Sequence, residues 1–202
     1  MTTRTIALAT TAAIATALLA GCTTTPADMP GNGVGQNSSA SPEATSASDA
    51  HNNADVMFSM MMIPHHQQAV EMADMIIGRS GINPRITELA QKIKDAQQPE
   101  IVQMEGWLDA WGVGAPNDML DDMDHGNGMM SDGDMSELES ASDADAGRIF
   151  LEQMIEHHEG AIDMAADEVE NGQYPDTITL AENIITSQTA EIKVMTGLLN
   201  AG

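Results

Sequence analysis

Apolar residues return at helical spacing along most of the chain after residue 53, and no stretch alternates convincingly as a strand. Ile86, Leu89, Ile93, Met104, Leu108 and Trp111 fall on one stripe of a helix. Gly78, Gly81, Asn83 and Pro84 mark one turn, and Asn171, Gly172 and Pro175 mark another. Each half of this region therefore predicts a helix, a turn and a second helix.

The two halves are copies of each other. Shifted by 92 residues, the stretch 58–73 falls on 150–165 with eight of sixteen positions identical, among them Phe58/Phe150, Met62/Met154, His65/His157, His66/His158 and Met72/Met164. Shifted by 91, the stretch 89–108 falls on 180–199 with nine of twenty identical, including Gln97/Gln188, Glu100/Glu191 and Met104/Met195. The change of offset falls in the turns. Two hairpins with one apolar face each bury those faces together, which predicts an all-α, four-helix bundle. Its repeats span residues 54–111 and 148–201, and residues 112–147 connect them. A single long crossover is the ferritin-like connectivity.

The segments outside the repeats differ in kind. Ile6 to Ala20 is an almost unbroken run of Ala, Leu, Ile and Thr behind Arg4, too short to span a bilayer as a helix of about 20 residues. It fits a signal peptide over residues 1–21. Leu19-Ala20-Gly21-Cys22 matches the lipobox of bacterial lipoproteins. That resemblance implies a lipidated Cys22 as the mature N-terminus and a lipid anchor on the outer side of the cytoplasmic membrane, in the cell envelope. Residues 22–53 lack apolar periodicity and read as a disordered tether; His51 at its end is assigned no role.

Cys22 is the single Cys, so the helical region has neither a disulfide nor a thiolate metal site. The chain carries 31 acidic residues against 7 basic ones. This charge repels nucleic acid and attracts cations. Met is frequent, at 17 residues.

Candidate chemistry follows from that composition. His65, His66 and Met72 share a stripe with Met62, and His157, His158 and Met164 repeat it with Met154. A pseudo-two-fold pairing of the halves would bring four His and four Met toward a common region. Imidazole suits several transition metals, and thioether favours Cu(I). These residues are equally explained as core residues, with His satisfied by one hydrogen bond and Met filling gaps. Glu100 and Glu191 lie beside the apolar stripes and could orient a ligating His from behind, or form a helix-to-helix hydrogen bond with no metal present. The connector interleaves Met119, Met123, His125, Met129, Met130 and Met135 with ten carboxylates and no Lys or Arg. Core packing does not explain Met in so polar a segment, which points to a capture site for Cu(I), Cu(II) or Ag(I), with low-complexity sequence as the alternative.

The pattern Phe58…Met62-Ile63-Pro64-His65-His66…Ala69…Met72-Ala73, then Gln97…Glu100-Ile101…Met104…Trp107-Leu108, resembles the bacterial family called domain of unknown function 305, which includes periplasmic copper-binding CopM-like proteins. The resemblance covers residues 54–201. It implies a ferritin-like four-helix bundle, export and, for some members, copper binding. Carried over by motif, the candidate ligands are Met62, His65, His66, Met72, Met154, His157, His158 and Met164. Glu156 stands where the first copy has Pro64, so the halves need not be equivalent. A di-iron enzyme would require Glu-x-x-His on two helices, and neither copy has it. No nucleophile triad or nucleotide-binding fingerprint is apparent, so neither enzyme activity nor an organic cofactor is expected. The functional expectation is sequestration of copper, or of silver. The alternative is a metal-free helical adaptor that scaffolds an envelope protein of unknown identity.

Overall fold

The computed structural model describes residues 50–114 and 128–201. All regular structure among these residues is helical: α1 (Asn53–Ile77), α2 (Pro84–Ala110), α3 (Asp132–Ser140), α4 (Asp143–Asn171) and α5 (Pro175–Leu199). Local chemistry sets the starts. Asn52 caps α1 through the amides of Ala54 and Asp55, and Asp55 answers at the Asn52 amide, a capping box. Ser131 and Asp134 do the same for α3. Pro84 and Pro175 stand in the first turns of α2 and α5, where a missing N–H costs nothing.

α1 pairs with α2, α4 pairs with α5, and the hairpins meet chiefly through α1 against α4. The core divides into two apolar clusters. One joins the C-terminal half of α1 and the N-terminal half of α4, with Met72, Ile93, Phe150, Met154 and Met195. The other joins the opposite halves, with Phe58, Met62, Met104, Met164 and Ile184. α1 and α4 are therefore antiparallel, and each cluster draws on both repeats.

The segment 112–147 departs from a structureless connector. It contains α3, and α4 already starts at Asp143. α3 docks because it has an apolar side: Leu138 is fully buried and Met130, just before the helix, is 4% exposed. Gln68 holds the Met130 backbone at both ends, donating to its carbonyl at 2.9 Å and accepting from its amide at 2.8 Å. Gly128 has φ +79, and a Cβ there would collide with the Glu156 carbonyl of α4, so both conformation and space demand glycine. Arg79 donates to the carbonyls of Leu138, Glu139 and Ala141 at 2.9, 2.6 and 2.7 Å, capping the end of α3.

Candidate metal centre

A polar layer separates the two apolar clusters at the middle of the long helices. His65 and His66 come from α1, His157 and His158 from α4, Gln97 from α2 and Gln188 from α5, and all six are buried. The rings of His65 and His157 meet at 3.7 Å between centroids, tilted by 43°. The two residues are equivalent in the repeat, so the copies touch here through the same position. His66 donates from Nε2 to Glu100 at 2.8 Å, and His158 repeats this to Glu191 at 2.7 Å.

A carboxylate can only accept, so Nε2 of His66 and of His158 carries the hydrogen, and in the neutral ring Nδ1 is the atom left free to accept or to ligate. Both Nδ1 atoms are buried and meet no hydrogen-bond partner among the described residues. Neither amide atom of Gln97 finds one, nor does the carbonyl oxygen of Gln188. Each such group costs about 1–3 kcal/mol. Burial, and then the neighbouring imidazoles of His65, His158 and His66, pull the His157 pKa well below 6.5, so its ring is neutral at physiological pH. Pro64 and Pro99 interrupt the backbone ladder of α1 and α2 beside the layer; Glu156 and Ala190 take those positions in the second repeat.

The four histidines are thus brought together, but the four methionines are not gathered with them. Met62 and Met164 belong to one flanking cluster, Met72 and Met154 to the other. The hairpins cross antiparallel at the His layer, so equivalent methionines fall on opposite sides of it. Among the described residues, no three His, Cys, Asp or Glu side chains form a ready metal cage. In the connector, Met130 is a core residue and not an exposed ligand, and Met135 packs partly buried against the same core. α3 turns an apolar side inward, which accounts for Met135 within it and Met130 just before it. Met129 is half-buried. Met119, Met123, His125 and Cys22 lie outside the described residues.

Two features escaped the sequence pattern. At the end of the domain far from α3, Asp55 Oδ1 accepts from the amides of Gln173 and Tyr174 at 3.0 and 2.8 Å and from the Thr177 hydroxyl at 2.8 Å. It supplies to α5 the N-terminal cap that Tyr174 lacks. Burial would raise the Asp55 pKa, but the hydrogen bonds from Asn52, Tyr174, Thr177 and Gln173 outweigh it and hold the carboxyl below 3.8. Beside it, Glu168 is pushed up to about 7 by burial and by the Asp55 carboxylate. The repeat sets Gly147 and Ile76 opposite Asp55 and Glu168, so self-comparison carried no signal for either. His51, given no role from sequence, stacks on Trp111 at 4.4 Å between ring centroids.

Residues 55–199 match the family model described as domain of unknown function (DUF305). A DUF305 fragment from Deinococcus radiodurans is similar at 30% identity and TM-score 0.68, covering 75% of this chain and 98% of that one. A DUF305 protein from Streptomyces coelicolor is similar at 33% identity and TM-score 0.67, covering 73% of this chain and 91% of that one. CopM in its Cu(II)-bound form is similar at 35% identity and TM-score 0.64, covering 73% of this chain and 96% of that one. CopM is also similar in its Cu(I)-bound and Ag-bound forms. No curated protein matches. The family-model match and these solved relatives show that the chain belongs to the DUF305 family.

Proposed function

We propose that this protein binds and sequesters copper, and silver by the same chemistry, in the cell envelope, where a lipid on Cys22 anchors it to the membrane. The observation that carries the reading is the pair of buried, unpartnered Nδ1 atoms of His66 and His158. Each imidazole is held from behind by a carboxylate, and its Nδ1 finds no hydrogen-bond partner among the described residues. A carboxylate that takes the other ring N–H orients a ligating histidine and raises its basicity. A layer with a purely structural role would satisfy these atoms or replace them with apolar groups.

Support also comes from CopM, whose solved forms hold Cu(I), Cu(II) and Ag. We read the four long helices as a ferritin-like bundle with α3 lying on the crossover, so that its centre holds the ion and its two apolar clusters hold its shape. Capture needs no catalysis: the acidic surface concentrates cations, and neutral imidazoles take up a soft ion. Glu100 and Glu191 stay on the far side of the rings and do not bind the ion themselves.

Equilibrium titration with Cu(I) against a chromophoric chelator tests this, at neutral and at mildly acidic pH. Protons compete for imidazole lone pairs, so affinity should fall with pH. Affinity unaffected by replacing all four histidines would refute the assignment, and no copper uptake at all would favour the metal-free adaptor.

A further inference from the structure

The α1–α4 groove is treated differently at its two ends. At one end α3 covers it: the Gln153 side chain donates to the Asp134 carbonyl at 2.9 Å, and Leu138 and Met130 are buried there. At the other end no described helix covers it, and it holds a cavity of about 300 Å³ lined in part by Met57, Met61, Met164, Asp167 and Glu168. Met57 and Met61 are one helical turn apart on α1, as are Met164 and Glu168 on α4, so each pair presents neighbouring side chains to the groove. Among the described residues, no Lys or Arg lines the cavity.

We propose that this end is a second cation site, in which the thioethers of Met57, Met61 and Met164 and the carboxylate of Glu168 hold a soft monovalent ion, Cu(I) or Ag(I). The proposal rests on the copper reading for the class of ion alone; it uses none of the four histidines.

Duplication does not account for this donor set. The equivalent positions at the covered end are Ile149, Gln153, Met72 and Ile76, so three of the four donors exist only at this end. Glu168 is the independent observation. It is 1% exposed, it lines the cavity, and neither of its oxygens has a partner at full hydrogen-bond geometry, although Asp55 and Thr177 stand close enough to interact with it. The chain also makes room for it, because a Cβ at Gly172 would collide with the Glu168 carboxyl. A carboxylate kept at the bottom of a thioether-lined groove offers a soft cation both charge neutralisation and polarisable sulfur.

The test is silver titration of the full-length chain carrying isotopically labelled methionine methyls, followed by NMR. Silver should move the methyl signals of Met57, Met61 and Met164 together, and M57L/M61L should abolish the Met164 shift and lower the number of tightly bound ions by one. H66Q/H158Q should leave those three shifts intact, even if the histidine layer proves to bind nothing. Three methyl signals that stay still in the wild-type chain would overturn the proposal whatever the histidines do, and so would a Met164 shift that survives in M57L/M61L.

Discussion

Replacing Glu168 by Gln should stabilise the metal-free protein above neutral pH and leave it unchanged in mild acid. Glu168 has a folded-state pKa of about 7 against 4.5 for the free group, because it is buried beside the Asp55 carboxylate. Below pH 4.5 the folded and unfolded chains both hold the proton, and its contribution is fully present. As pH rises toward 7 the unfolded chain releases the proton while the folded one keeps it, so stability falls. Above 7 the loss is complete, because the folded protein then carries a second buried carboxylate next to Asp55. Each tenfold change in proton affinity is worth about 1.4 kcal/mol, which sets a ceiling of about 3 kcal/mol. Solvent at the mouth of the cavity screens part of this, leaving about 1–2 kcal/mol. Gln copies the protonated acid and never ionises. Chemical denaturation followed by circular dichroism, with a chelator present, should therefore give equal stabilities at pH 4.5 and a more stable Gln variant at pH 8. Parallel pH profiles for the two proteins, or a less stable Gln variant at pH 8, would refute the account of this carboxyl pair.

Asp55→Asn should lower stability by about 2–4 kcal/mol at neutral pH, since Asp55 accepts from two amides of the α4–α5 turn and the Thr177 hydroxyl, and hydrogen bonds to a charged group are worth about 1.5–3 kcal/mol each. The Asp55 pKa is depressed, so its contribution is present above 3.8 and lost as pH falls through its folded value; the two denaturation curves should converge in strong acid. Met130→Ala should cost about 2–4 kcal/mol as a core truncation, whereas Met129→Ala should cost far less, a contrast that thermal melting would show. Arg79→Ala should release the end of α3 and raise hydrogen exchange in residues 132–140 while α1 and α4 stay protected. Cys22→Ser should free the protein from the membrane fraction or leave an uncleaved precursor, as fractionation and gel mobility would reveal.

The helices were legible because duplication printed each pattern twice: the turns around Gly78 and Gly172 and the apolar stripes recur at nearly one spacing. The His layer was legible for the same reason, since His65, His66 and Glu100 each have a counterpart. What broke the repeat was invisible to it. Asp55 and Glu168 act at one end only, and their work depends on a contact between α1 and the α4–α5 turn that no local pattern encodes. Met130 misled because a segment rich in Asp reads as solvated; its burial follows from Gln68 pinning its backbone and from Leu138 turning inward, both long-range facts. The methionines share a stripe with the histidines on each helix, but the antiparallel crossing sends them to opposite clusters, and crossing direction is not written in a single helix.

Thermal melting of wild type and H66Q/H158Q, each with and without Cu(I), tests the proposal that the buried Nδ1 atoms of His66 and His158 receive copper. A ligand that binds only the folded state adds RT ln(1 + [L]/Kd), about 2.7 kcal/mol at a hundredfold excess over Kd. The two metal-free proteins should melt alike, copper should raise the wild-type melt, and that rise should shrink sharply in the variant. A variant that melts low without metal and gains as much from copper as wild type would contradict it, and would assign these histidines to the core.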